Sequence, residues 1–67
     1  MVTILVNGEN REIPEGLTLA ALLRWLELPA DRVAVEWNLE IVPRGRWDET
    51  LIGADDKLEI VQFVGGG

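Results

Sequence analysis

Four leucines, Leu19, Leu22, Leu23 and Leu26, recur at i, i+3, i+4 and i+7, which places them on one face of a helix. The rest of the chain reads as strand, turn or loop. A lone amphipathic helix must bury its apolar face against something, and here only a sheet is on offer. Local chemistry sets the expected limits. Thr18 suits the N-cap position, and Leu17 can staple to Leu22 across it. Pro29 stops the helix because the residue before proline resists αR geometry. The spacing predicts a helix from Leu19 to about Leu28, with Arg24 and Glu27 off the apolar face.

Strands fill the remainder. Val2 to Val6 is β-rich and runs into Asn7-Gly8, the strongest short hairpin signal. Glu9 to Ile13 is the returning strand, and its polar character suits a sheet edge. Pro14-Glu15-Gly16 breaks the pattern. Val33 to Trp37 alternates, with Val33, Val35 and Trp37 on one face and Ala34 and Glu36 on the other. Glu40 to Pro43 follows a turn at Asn38-Leu39. Arg44 to Ala54 is irregular, with a helical turn near Trp47 to Thr50. Lys57 to Val64 is the last strand. The order β-β-α-β-β-β predicts an α+β fold, one helix on a mixed sheet of four to five strands. The two most apolar strands, the first and the last, belong in its middle. Residues 1–64 form the folded domain in this reading, and 65–67 a flexible tail.

The last strand has apolar side chains on both faces. Leu58 and Ile60 point to the helix side, so Val61 and Phe63 point away from it, as does Leu5 on the first strand. Either these three adjoin as a bare patch that binds a partner, or a long loop folds over them.

Composition narrows the chemistry. With no Cys and no His, the chain has no thiol nucleophile, imidazole base, disulfide or ordinary zinc site. Carboxylates, arginines, one lysine and the hydroxyls of Thr3, Thr18 and Thr50 remain. Sixty-seven residues leave little room for a substrate pocket, so the expected class is not an enzyme. A net charge of −6 repels a phosphate backbone, which disfavours nucleic acid and favours a basic protein surface as partner. No run approaches the ~20 apolar residues of a membrane span, and Met1-Val2-Thr3 carries no basic export signal. The cytoplasm is the expected location.

Gly65-Gly66-Gly67 follow the last strand directly. Without side chains they can thread a passage too narrow for other residues. Extended, three residues reach roughly 10 Å. A terminal carboxylate, with a reference pKa of about 3.3–3.7, is ionised at neutral pH and can attack an activated phosphate. This pattern suits a carrier whose cargo is attached to its own end.

Several segments together resemble the small ubiquitin-like sulfur carrier protein of thiamine (thiazole) biosynthesis. They are Asn7-Gly8, Asn38, Ile41-Val42-Pro43-Arg44, Trp47, Leu58-Glu59-Ile60-Val61 and Phe63 through Gly67. Gly53-Ala54-Asp55-Asp56 departs from the compact Gly-Asp turn common in that family. The resemblance implies a ubiquitin-like β-grasp fold and a defined cycle. Gly67 is adenylated by a partner adenylyltransferase that uses ATP and Mg. A sulfurtransferase or cysteine desulfurase then supplies persulfide sulfur, and the resulting thiocarboxylate serves thiazole synthase. Gly65 and Gly66 are the tail, and Leu5, Val61, Phe63 and Val64 the candidate docking residues. The chain itself holds no cofactor in this reading.

Blander readings stand beside these. A carrier for molybdopterin or another pathway shares the terminal glycines, and a passive interaction domain would carry them incidentally. Asp55, Asp56 and Glu59 fit turn chemistry better than a metal site. Trp25, Trp37 and Trp47 fit core or edge packing better than ligand stacking. Arg44 and Arg46 either meet a partner's acidic groups or solvate a loop.

Overall fold

The structure is a computed structural model and describes residues 1–63. Its elements are β1 (Val2–Val6), β2 (Glu9–Ile13), α1 (Leu19–Trp25), β3 (Val33–Trp37), β4 (Glu40–Ile41) and β5 (Lys57–Gln62). Short 3-10 turns occupy Ala30–Arg32 and Arg44–Glu49. The sheet order is β2-β1-β5-β3-β4, so the two most apolar strands lie inside it as expected. β1 and β5 run parallel and every other pair is antiparallel.

The helix starts where the sequence says. Thr18 Oγ1 accepts a 3.1 Å bond from the Ala21 N–H, satisfying one of the helix's orphan donors. A second orphan, the Leu19 N–H, donates to the Thr50 carbonyl at 2.8 Å, and the Ile52 N–H returns to Leu17. These bonds strap the helix start to the segment after the second 3-10 turn.

The helix ends earlier than expected, at Trp25 instead of Leu28. The Leu28 N–H reaches the Leu23 carbonyl at 2.9 Å and the Glu27 N–H reaches that of Arg24 at 3.0 Å. That pair of bonds is a Schellman cap, with Glu27 in the left-handed position at φ 60°. Four residues after Trp25, Pro29 finds the chain already extended.

Leu19, Leu22, Leu23, Ile4, Ile13 and Leu58 are fully buried. Leu26 packs on the margin of this core. Each fully buried side chain of this kind contributes about 1.5–3 kcal/mol, so the leucine face is the main source of stability. Trp47 is also core. Its indole N–H donates to the Val42 carbonyl at 2.8 Å, which closes the loop between β4 and the 3-10 turn.

β4 is shorter than the expected Glu40 to Pro43. Val42 still donates to Val35 at 3.0 Å, but Pro43 has no N–H and instead begins the 3-10 turn. β5 ends at Gln62, with one further bond from the Phe63 N–H to the Arg32 carbonyl at 2.7 Å. Val64, Gly65, Gly66 and Gly67 lie outside the described residues, and with them the expected boundary between body and tail.

Candidate functional site

β5 carries the chain toward its terminal glycines, and its surroundings form the candidate site. Its two neighbours hold it differently. β3 pairs with it over five of its six residues, from Trp37 opposite Leu58 to Val33 opposite Gln62. β1 pairs with it over only two positions, Leu5 with Lys57 and Val6 with Leu58.

Two asparagines close the gaps, one on each flank. Asn38, at φ 50°, donates its backbone N–H to the Lys57 carbonyl at 2.8 Å and accepts the Lys57 N–H on Oδ1 at 2.9 Å. Asn7, at φ 52°, donates its backbone N–H to the Leu58 carbonyl at 2.8 Å. Its side chain then accepts the Ile60 N–H at 2.7 Å and donates to the Ile60 carbonyl at 3.1 Å. Asparagine tolerates the left-handed region better than most residues, and that geometry turns both amides onto the strand.

Asp56 organises the entrance to β5. Its carboxylate accepts bonds from the Gly53 N–H at 2.8 Å, Trp37 Nε1 at 2.9 Å and Asn38 Nδ2 at 3.2 Å. Burial by itself would push this carboxyl up, but the three donors outweigh it and hold the pKa below the ordinary value. Asp56 is thus a turn former, as the sequence suggested for this acidic pair, and Asp55 occupies the left-handed region beside it. Among the described residues no cluster of three potential metal ligands occurs. Arg46 pairs with Glu49 at 3.1 Å on the surface.

The face of the sheet away from the helix holds the expected apolar residues, in a different arrangement. Val61 is 59% exposed and Phe63 54%. Among the described residues no loop covers them. Leu5 does not join them, which corrects the expectation that all three adjoin. Register places Leu5 beside Lys57, four residues before Val61, or roughly 13 Å along the strand. Parallel register between strands so distant in sequence left no local mark from which this offset was readable.

The neighbours of Val61 are instead Ala34, directly opposite on β3, and Ile41 of β4, which is 77% exposed. Together with Glu36, Val35 and Glu59 they line a shallow depression of about 110 Å³. Glu36 and Glu59 face each other across the β3–β5 pair, an unfavourable placement for two carboxylates. Sequence reasoning missed Ile41 and this acidic pair. Part of the signal existed, since alternation sets Ala34 and Glu36 on the face opposite Val33, Val35 and Trp37, but Ile41 needed the β3–β4 register. Val64 and the terminal glycines, the remaining candidates, lie outside the described residues.

One helix held in the curve of a five-stranded mixed sheet, with the last strand central and parallel to the first, defines a ubiquitin-like β-grasp domain. The sequence carries a more particular identity. A family model described as the ThiS family matches residues 4–67, and the chain belongs to that family. A crystal structure of the thiamine biosynthesis protein (ThiS) from Geobacter metallireducens superposes with a TM-score of 0.86 at 33% identity, covering 98% of this chain and 100% of that one. The sulfur carrier protein ThiS of Escherichia coli is 30% identical over 64 residues, spanning 96% of this chain and 97% of that protein. A thiazole synthase of Paramagnetospirillum magneticum is 45% identical over 64 residues, but these are only 20% of its length. The chain thus spans about a fifth of the thiazole synthases it matches.

Proposed function

We propose that this protein is the sulfur carrier of thiazole formation in thiamine biosynthesis, working as a protein co-substrate through the carboxylate of Gly67. The observation that carries the reading is the family match, which extends from residue 4 through the terminal glycines. The two thiazole synthases that contain a similar domain favour the thiamine branch over molybdopterin.

In the proposed cycle an adenylyltransferase positions ATP and Mg against the tail. A Gly67 oxygen attacks the α-phosphorus and pyrophosphate leaves, so the poor leaving group of a carboxylate becomes AMP. Persulfide sulfur from a sulfurtransferase or cysteine desulfurase then attacks the acyl carbon and expels AMP. A second thiol splits the remaining S–S bond, and the freed thiocarboxylate passes sulfur to thiazole synthase. ATP and free thiols place the cycle in the cytoplasm. Among the described residues, no helix is long and apolar enough to cross a membrane.

Gly65 and Gly66 form the thin approach to the reactive end, and threading them costs entropy that docking of the body must offset. Ala34, Ile41, Val61 and Phe63 supply the apolar docking surface. Glu36 and Glu59 select a partner surface with a basic group at its centre. Leu5 stands apart on the same face and would meet the partner only at a second contact.

The direct test is incubation with ATP, Mg and the adenylyltransferase, followed by intact-mass analysis. An AMP adduct is expected at the C-terminus, and one alanine added after Gly67 should abolish it. Adduct on the extended chain, or none on the native one, would refute the carrier reading.

A further inference from the structure

We infer that Asn7 is a positioning residue for the tail, acting by holding the last half of β5 in place where its neighbouring strand has run out. The inference rests on the carrier reading and adds to it a role for a side chain more than fifty residues away from Gly67 in sequence.

The argument begins with a mismatch in length. β1 stops opposite Leu58, while β5 continues to Gln62. Alternate residues of a strand bond to opposite neighbours. The Phe63 N–H faces β3, whereas Leu58 and Ile60 face β1. Past Leu58 the β1 flank would therefore offer the Ile60 N–H and carbonyl to solvent. The Asn7 amide occupies that place. Its oxygen takes the N–H and its nitrogen meets the carbonyl, so one side chain imitates the next residue of a strand.

The φ of 52° at Asn7 is what permits this, because the main chain leaves into the hairpin while the side chain continues the ladder. Asn38 makes the same kind of grip on the opposite flank, but at Lys57, the start of β5. β3 secures that flank from Leu58 to Gln62. Among the described residues Asn7 alone extends two-sided support from Leu58 to Ile60.

Val61 and Phe63 follow immediately. With Ile60 fixed from both sides, their side chains are presented in order before a partner arrives. Without it, β5 beyond Leu58 depends on β3 alone, and ordering of Val61 and Phe63 is deferred to docking. Each side chain ordered only on binding weakens affinity by about two- to tenfold. The last two-sided anchor also retreats by two residues, which dilutes the tail at the partner's site.

The test substitutes Asn7→Gly, because glycine keeps the left-handed backbone without strain and removes only the amide. Thr18→Ala serves as the control. It removes a helix cap about as valuable, far from β5. Both variants and the native chain are assayed as the varied substrate of the adenylyltransferase, well below their melting temperatures. Amide exchange at Ile60 is followed by NMR.

For Asn7→Gly, the Ile60 amide should exchange at least tenfold faster, and KM should rise about fivefold with kcat within twofold. Thr18→Ala should leave KM unchanged. Asn7→Asp, which keeps the acceptor but sets a charge against the Ile60 carbonyl, should restore none of the KM. Unchanged KM in Asn7→Gly, or an equal rise in Thr18→Ala, overturns the positioning role while the carrier reading stands. Absence of any adduct on the native chain overturns both.

Discussion

The two faces of the sheet are built from the same strands and obey opposite rules. Toward the helix, Ile4, Leu58, Ile60 and Val35 meet the leucines of α1 and exclude water. Away from it, Ala34, Ile41 and Val61 are left in solvent beside two facing carboxylates. The inner face is packed for stability, which a small domain needs because only about 60% of its surface is buried. The outer face gives up stability in two ways, through wet apolar area and like-charge repulsion. A surface that is costly in isolation and paid back on contact is what a docking protein requires.

Breaking the inner face should have the largest effect. Leu22→Ala leaves a cavity in the core and should cost about 3 kcal/mol in urea denaturation, a large part of what a domain this size has. If it costs less than about 1 kcal/mol, the helix face is not the main support.

Next comes the turn that leads into β5, which both faces share. Asp56→Ala removes the acceptor for Gly53, Trp37 and Asn38 and should cost about 2 kcal/mol. Because the folded-state pKa is lowered, the carboxylate's contribution is full above the unfolded value of about 3.9. It disappears as pH falls through the folded value. Asp56→Asn should therefore flatten the loss of stability between pH 5 and pH 2, as read from urea midpoints. An acid limb as steep as the native one would assign acid sensitivity to other groups.

The outer face should respond in the reverse sense. Val61→Asp and Ile41→Asp should each weaken binding to the adenylyltransferase about tenfold, while changing stability by less than about 0.5 kcal/mol. Calorimetric titration with the partner separates the two. A loss of stability as large as that of Leu22→Ala would mean that the faces are not distinct. The smallest effect belongs to Glu59→Gln, which relieves the repulsion with Glu36. It should stabilise the free domain by roughly 0.5 kcal/mol and slow association with the partner, an effect that salt should erase.

Much of this division was readable from sequence because it is local. Leucines at helical spacing and alternation in Val33 to Trp37 report their faces without knowing their neighbours. Asn7-Gly8 and Thr18 likewise carry their turn and cap chemistry with them. Non-local facts were not readable. The register that sets Leu5 beside Lys57 joins residues some fifty positions apart, and nothing in either segment encodes it. The same holds for the Asn7 amide, whose hairpin role was evident and whose grip on Ile60 was not. The helix end was misplaced for a different reason. A Schellman cap favours glycine at its left-handed position, and Glu27 gave no such cue.

The position of β5 has a consequence for how the molecule is made. It is the last strand of the domain to be synthesised, yet it is the one that joins the β1–β2 hairpin to the β3–β4 hairpin. Until the ribosome releases it, each hairpin has no partner and the helix has no floor to rest on. A product ending before β5 lacks the strand between the two hairpins, so a copy with the complete sheet has been translated at least through Gln62.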